Sequence, residues 1–234
     1  MALANVLQLS QIAGHVILFI LSLCIVVPLF INLDQFCGHC LLFTTGKWRE
    51  EDGMFDVQWA SNGFCNFPLI TGFFLLIISV VQIYRYARMK EEASFIALFI
   101  DVVLGIWMLA MSILSAIFIT LGFIVWCDRM TERFPSCAIS LPGQNIIHGD
   151  TEKINTSGFY IEMGTTQFGA WGSFAISVGI GVIALLKLID NHQVRNIKVS
   201  MYLERQRLVN QQQYDGRSTP PIVSNASSDS EQNK

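Results

Sequence analysis

The sequence predicts an all-α membrane protein built as a four-helix transmembrane bundle. Three observations carry that prediction. The chain of 234 residues is 52% hydrophobic but only 14% charged, whereas a soluble domain usually carries about 25% charge. Four long stretches lack Asp, Glu, Lys and Arg altogether. The charges that remain collect between those stretches and in the tail. Mean hydropathy is +0.47. The formal net charge of −3 shows no basic surplus, so nucleic acid is not an expected partner.

The first span covers about 12–32. Met1 to Leu33 holds no charged side chain, and its apolar core from Ile12 to Ile31 has the length of one crossing. A cleaved signal peptide needs a basic start and a small-residue cleavage site. The start here has no Lys or Arg, and the stretch ends VVPLFINLDQF, so an uncleaved helix is expected. Pro28 is expected to kink it or to start its exit. Residues 33–66 form a polar loop with Asp34, Lys47, Arg49, Glu50, Glu51, Asp52 and Asp56.

The second span covers about 67–85. Pro68 lies in its first turn, where a missing N–H costs least. A short charged connector, RYARMKEE, runs from Arg85 to Glu92. The third span covers about 95–126 and is uncharged from Val102 to Trp126. At 1.5 Å per residue that stretch is roughly 37 Å of helix, enough to cross a hydrocarbon core of about 30 Å with tilt. It stops at Trp126-Cys127-Asp128, an aromatic anchor followed by a thiol and a charge.

A second polar loop, 127–163, leads to the fourth span at about 165–187. Residues 191–213 are expected to form a cytosolic juxtamembrane helix, with Val194, Ile197, Met201 and Leu208 along one stripe and Glu204 interrupting it. Residues 214–234 are rich in Ser, Pro and Asn and are expected to be a disordered cytosolic tail. The four-span domain is therefore 1–190.

Orientation follows the basic residues. Arg85, Arg88 and Lys90 sit in the connector, and Lys187, Arg195, Lys198, Arg205 and Arg207 lie near the start of the tail. Both are expected on the cytosolic side, with both termini, in the plasma membrane or the secretory pathway. The two long loops then face outward, where Asn155-Thr156-Ser157 is a glycan acceptor. Asn225-Ala226-Ser227 matches too, but on the cytosolic side.

Five cysteines fall in the outer loops: Cys37, Cys40, Cys65, Cys127 and Cys137. Disulfides persist there. Pairs within each loop, from Cys40, Cys65, Cys127 and Cys137, would tie each loop to its own span ends, and cross-loop connectivities stay open. Cys37-Gly38-His39-Cys40 matches the redox motif of disulfide isomerases, but the supporting scaffold needs more chain than this loop offers. A zinc site from Cys37, His39, Cys40 and Cys65 has suitable ligand types and competes with oxidation, so no metal or other cofactor is expected.

Inside the spans, Asp101 lies about two turns into the third helix. A membrane-embedded carboxylate is a candidate for an ion path, a proton relay or a helix contact. His15 is at similar depth and is its candidate partner. In the fourth span Gly169, Ser173, Ser177 and Gly181 recur every four residues, a small-residue face that lets backbones approach closely. No P-loop, HExxH, GxSxG or strand-preceded GxGxxG occurs, and no catalytic constellation stands out.

Several strings occur together. Cys40-Leu41-Leu42-Phe43-Thr44 is followed by Gly46 and Trp48, and Cys65 precedes the second span. Trp126-Cys127-Asp128 comes with Thr131-Glu132 and Cys137, and Gln167-Phe168-Gly169 with Trp171. With the four spans they resemble the transmembrane protein 179 family over roughly 1–190. Cys37 departs from that pattern, which makes the CGHC string incidental. The family is similar in plan to claudin-like four-helix membrane proteins. The resemblance implies a left-handed bundle with a small extracellular β-sheet from the first outer loop, where CLLFTTG, MFDVQWA and FCNF have β-like content. The claudin W-GLW-C-C signature is absent, so a tight-junction role is not implied.

Together these features lead to the expectation of a non-enzymatic multi-pass protein that works by lateral or extracellular interaction with other membrane proteins. Its contact surfaces would be the outer loops and the fourth-helix small-residue face. The lipid bilayer is its solvent, and self-association into a homo-oligomer is a further contact it allows. The alternatives are a small channel or transporter using Asp101, and a lumenal thiol oxidoreductase using Cys37 and Cys40.

Overall fold

The computed structural model describes residues 2–51, 55–88, 95–137 and 158–218. Helix α1 is Ala2–Gln35, strand β1 Cys40–Trp48, strand β2 Phe55–Ala60, α2 Gly63–Arg88, α3 Phe95–Thr131 and α4 Phe159–Ser218. Four helical stretches are long and apolar enough to cross a membrane: Val6–Gln35, Gly63–Arg88, Phe95–Thr131 and Phe159–Gln211. Residues Met1–Leu188 form one compact unit and Ile189–Lys234 a second. The first unit carries both strands and the packed helical interior.

Through the middle of each membrane-spanning stretch the helix is apolar all round because both of its environments are. What distinguishes the two faces is size and polarity, and the sense is reversed from a soluble bundle. Large side chains point outward: Ile17, Ile20, Phe73, Phe74, Ile77, Ile106, Leu121 and Ile124 are all exposed. The inward faces carry small hydroxyl residues. Ser22, Thr71, Ser79, Ser112, Ser115, Thr166, Ser173 and Ser177 are all buried. Several bond back to their own helix, as Ser79 Oγ does to the Leu75 carbonyl at 2.7 Å and Thr166 Oγ1 to the Glu162 carbonyl at 2.8 Å. That is how a hydroxyl is satisfied without water. Helix α1 continues past Pro28 to Gln35, so the proline does not start its exit.

Two apolar clusters occupy the interior. The smaller joins one residue from each helix, Leu18, Leu75, Met108 and Ile180. The larger lies toward the end where α1 stops and α2 begins. It includes Ile25, Leu29, Ala116, Ile119 and Trp126 together with Leu41, Leu42 and Phe55 of the strands.

The strands come from the segment between α1 and α2 and pair antiparallel, with Cys40 opposite Ala60, Thr45 opposite Gln58 and Trp48 opposite Phe55. Between the first two pairs, five residue steps on β1 face two on β2, so β1 bulges. Phe43 sits in that bulge with φ +63°, a conformation an aromatic residue rarely adopts. The turn places its ring 4.8 Å from Phe64 on α2 and 6.1 Å from Phe118 on α3. Thr44 closes the bulge. Its hydroxyl donates to the Cys40 carbonyl at 2.6 Å and accepts from the Ala60 N–H at 3.2 Å. The sheet lies close on α3 because Gly122 leaves room. A Cβ there would come 2.7 Å from the Cβ of Leu42.

Candidate functional site

Two regions gather the side chains with chemistry. The first is the sheet-bearing end. The structure bonds Cys40 to Cys65, a loop of 25 residues that fastens the start of β1 to the first turn of α2. It bonds Cys127 to Cys137, which fastens the chain leaving α3 to that helix's last turn. Aromatic side chains fill the space between. Phe55 packs edge-on to Trp126 at 6.0 Å, Trp126 edge-on to Phe159 of α4 at 6.1 Å, and Trp48 against Phe55 at 4.8 Å. The Trp48 indole N–H donates to the Arg129 carbonyl at 3.0 Å, so even the rim of the sheet is tied to α3. Glu162 at the start of α4 accepts from Gln35 Nε2 at 3.0 Å and Asn32 Nδ2 at 3.4 Å of α1.

Cys37 lies outside both disulfides and is exposed, with φ +54°. His39 stacks on Trp59 at 4.7 Å. The bridge to Cys65 takes Cys40 out of the C-x-x-C pair, which leaves that motif without its resolving thiol. Among the described residues no group of three or more His, Cys, Asp or Glu side chains is placed to hold a metal ion. Asn155 lies outside the described residues, as do Lys90 and Asn225.

The second region is the opposite end of the same bundle, and all four helices contribute. Asp101 of α3 is 7% exposed. Its Oδ1 accepts from Gln82 Nε2 at 3.3 Å and is paired with the Arg85 guanidinium; its Oδ2 accepts from the Tyr86 hydroxyl at 3.0 Å. All three partners are on α2. Arg85 also lies 5.2 Å over the Tyr86 ring. From α1, Gln8 Nε2 donates to the Tyr86 carbonyl at 3.0 Å and the His15 ring lies 5.9 Å from the Tyr86 ring. From α4, the Lys187 ammonium donates to Gln11 Oε1 and lies 5.3 Å over the same ring.

This arrangement is a clasp. A buried carboxylate in a low-dielectric setting is tolerable when it is paired and its lone pairs are filled, and three donors do that here. Tyr86 is the hub, touched by a residue from each of the other helices. His15 lies beside the Tyr86 ring that donates to Asp101, and among the described residues no hydrogen bond joins His15 to the carboxylate. Arg85, which the sequence places in the connector, is the ion-pair partner. Gln11, Gln82 and Tyr86 carried no motif. One signal was available: Arg85 lies near the end of α2 and Asp101 near the start of α3, so antiparallel packing of the two helices brings them level.

The small-residue face of α4 turns inward. A Cβ on Gly169 would lie 2.9 Å from the Leu21 carbonyl oxygen, and one on Gly105 of α3 would lie 3.4 Å from the Cα of Gly181. Ser173 and Ser177 are fully buried beside them. The face packs α4 against α1 and α3, so it is not a surface open to another protein. Trp171 Nε1 adds a bond to Thr120 Oγ1 of α3 at 3.1 Å.

No solved structure matches the chain. The family model described as the transmembrane protein 179/179B claudin domain matches residues 7–209. With its four apolar helices and two-stranded sheet, this chain is a multi-pass membrane protein in contact with the lipid bilayer, and it belongs to the transmembrane protein 179/179B claudin-domain family.

Proposed function

We propose that this protein is non-enzymatic and acts by binding other membrane proteins through its sheet-bearing end, as an accessory, trafficking or adhesion-type component. The observation that carries the reading is the way that end is built. The Cys40–Cys65 disulfide and an aromatic core hold a small sheet on the bundle, and the Cys127–Cys137 disulfide ties down the neighbouring chain after α3, while Lys47, Asp56 and Gln58 of the strands remain at least partly exposed. Among the described residues β2 pairs with β1 alone. A surface held rigid in advance loses little entropy when a partner docks, and a strand with one unpaired edge can accept another chain.

In this reading the sheet faces the lumen or the cell exterior. Both termini and the Arg85 to Glu92 connector face the cytosol, in the plasma membrane or the secretory pathway. The four-span domain is 1–190, followed by a juxtamembrane helix at 191–213 and a tail at 214–234, and Asn155 carries a glycan. Self-association is a competing occupant of the same surface. The transport alternative draws less support, because the Asp101 carboxylate is filled by three donors and has the form of a brace.

The test is purification from native membrane in gentle detergent, with mass and subunit identity read together. A stoichiometric membrane partner is expected, and Asp56→Arg with Gln58→Arg should release it while leaving the protein folded. A monomer or homo-oligomer after cross-linking would overturn the reading.

A further inference from the structure

Among the described residues the clasp does not balance in charge. Three charged side chains meet there, Asp101, Arg85 and Lys187. The carboxylate's bonds go to Gln82, Arg85 and Tyr86. Lys187 therefore rests on neutral partners alone, the Gln11 carbonyl oxygen and the face of Tyr86. Gln11 is 1% exposed. Because its oxygen accepts from Lys187, its Nε2 amide is left facing inward, and that amide has no partner among the described residues. Nor does Arg85 Nε. The unpartnered acceptors of the region, Gln82 Oε1 and His15 Nδ1, are uncharged in the neutral imidazole form and leave the surplus of one positive charge unchanged.

A half-buried surplus cation beside a buried amide with spare N–H donors is costly until an anion or water meets it. We propose that the corner formed by Lys187, Gln11 and Arg85 binds an oxyanion of the phosphate class. Lysine suits phosphate as a compact point charge, the amide of Gln11 beside it supplies a directed bond, and Arg85, over the same Tyr86 ring, adds positive charge. The site lies at the end of the bundle where the second and third spans turn back, so a lipid phosphate can reach it from the bilayer. Basic pockets between membrane helices bind headgroups in this way. A free phosphate ion has the same chemistry.

The probe that separates these sources is phosphatidic acid, with phosphatidylcholine of the same acyl chains as control. Each is added to the full-length protein in detergent, and bound lipid is counted by native mass spectrometry. About fivefold or greater preference for phosphatidic acid is expected. Lys187→Gln should abolish it, Lys187→Arg should keep it, and Lys198→Gln, an exposed basic position, should leave it unchanged. Displacement by millimolar inorganic phosphate would assign the site to phosphate itself; resistance would assign it to the lipid. Should Lys187→Gln fail to fold, Gln11→Leu keeps the cation, removes the amide donor, and should weaken the preference. Equal retention of the two lipids, or a preference that survives both variants, overturns the proposal.

Discussion

At the sheet end Trp126 is 2% exposed and surrounded by other rings, and one covalent bond holds β1 to α2 while a second ties the chain leaving α3 back to that helix. At the turn end Asp101 is nearly as buried, yet every bond that holds it is polar and reversible. The difference teaches where each kind of interaction is effective. One face of the sheet packs on the bundle and the other carries exposed polar residues such as Lys47 and Asp56, so order there rests on apolar burial and disulfides. The clasp sits among apolar helices, where water competes less and a charge must find its partners inside the protein. One end is suited to present a fixed surface; the other joins four helices through one tyrosine ring.

The largest expected effect is at the clasp. Asp101→Ala leaves Arg85 without its counter-charge and should destabilise the bundle by about 3–5 kcal/mol, read as a lower unfolding midpoint in detergent. Adding Arg85→Gln to Asp101→Asn should cost less than the sum of the single changes, by about 0.5–3 kcal/mol. Strict additivity would mean that the two residues do not brace each other.

At the other end, Cys40→Ser with Cys65→Ser removes the closure of a 25-residue loop and should cost about 3.5 kcal/mol in the chain-entropy model. Faster tryptic cleavage near Lys47 would report it, while proteolysis near Arg85 should not change. Equal loosening of both ends would show that the two regions are one cooperative unit.

The middle of the bundle sharpens the comparison. Gly169→Leu drives a side chain into the α1 backbone near Leu21 and should cost about 1–3 kcal/mol by overpacking, with loss of thermal stability in detergent. Ser173→Ala should change stability by no more than about 0.5 kcal/mol, because the buried hydroxyl has no partner among the described residues to lose. A loss above about 1 kcal/mol in the same melt would mean that the hydroxyl holds a bond through ordered water.

Much of the architecture was legible along the chain. The uncharged run from Val102 to Trp126 marks a helix that crosses a membrane, because only a bilayer tolerates so long a stretch without charge. The β-like content of CLLFTTG and MFDVQWA marks the segments that become the strands, whereas FCNF, given the same reading, lies in the first turns of α2, where it leads straight into an apolar span. The bulge that puts Phe43 at positive φ was not legible. It exists because the sheet must meet Phe64 and Phe118, which are distant in sequence, and no local pattern encodes that contact.

The same division holds for the sites. Composition and charge spacing alone determined that this is a four-span membrane protein with five of its six cysteines between the uncharged stretches, because hydrophobic length and residue type are local properties. Tertiary structure alone decided which polar residues meet. Arg85, Gln82 and Tyr86 share the Asp101 carboxylate, Lys187 arrives from the far end of the domain, and the Gly169 to Gly181 face is turned inward. The physical reason is that a lone pair or a proton is satisfied by whatever lies within about 3 Å, and which groups come that close depends on how four helices rotate against one another.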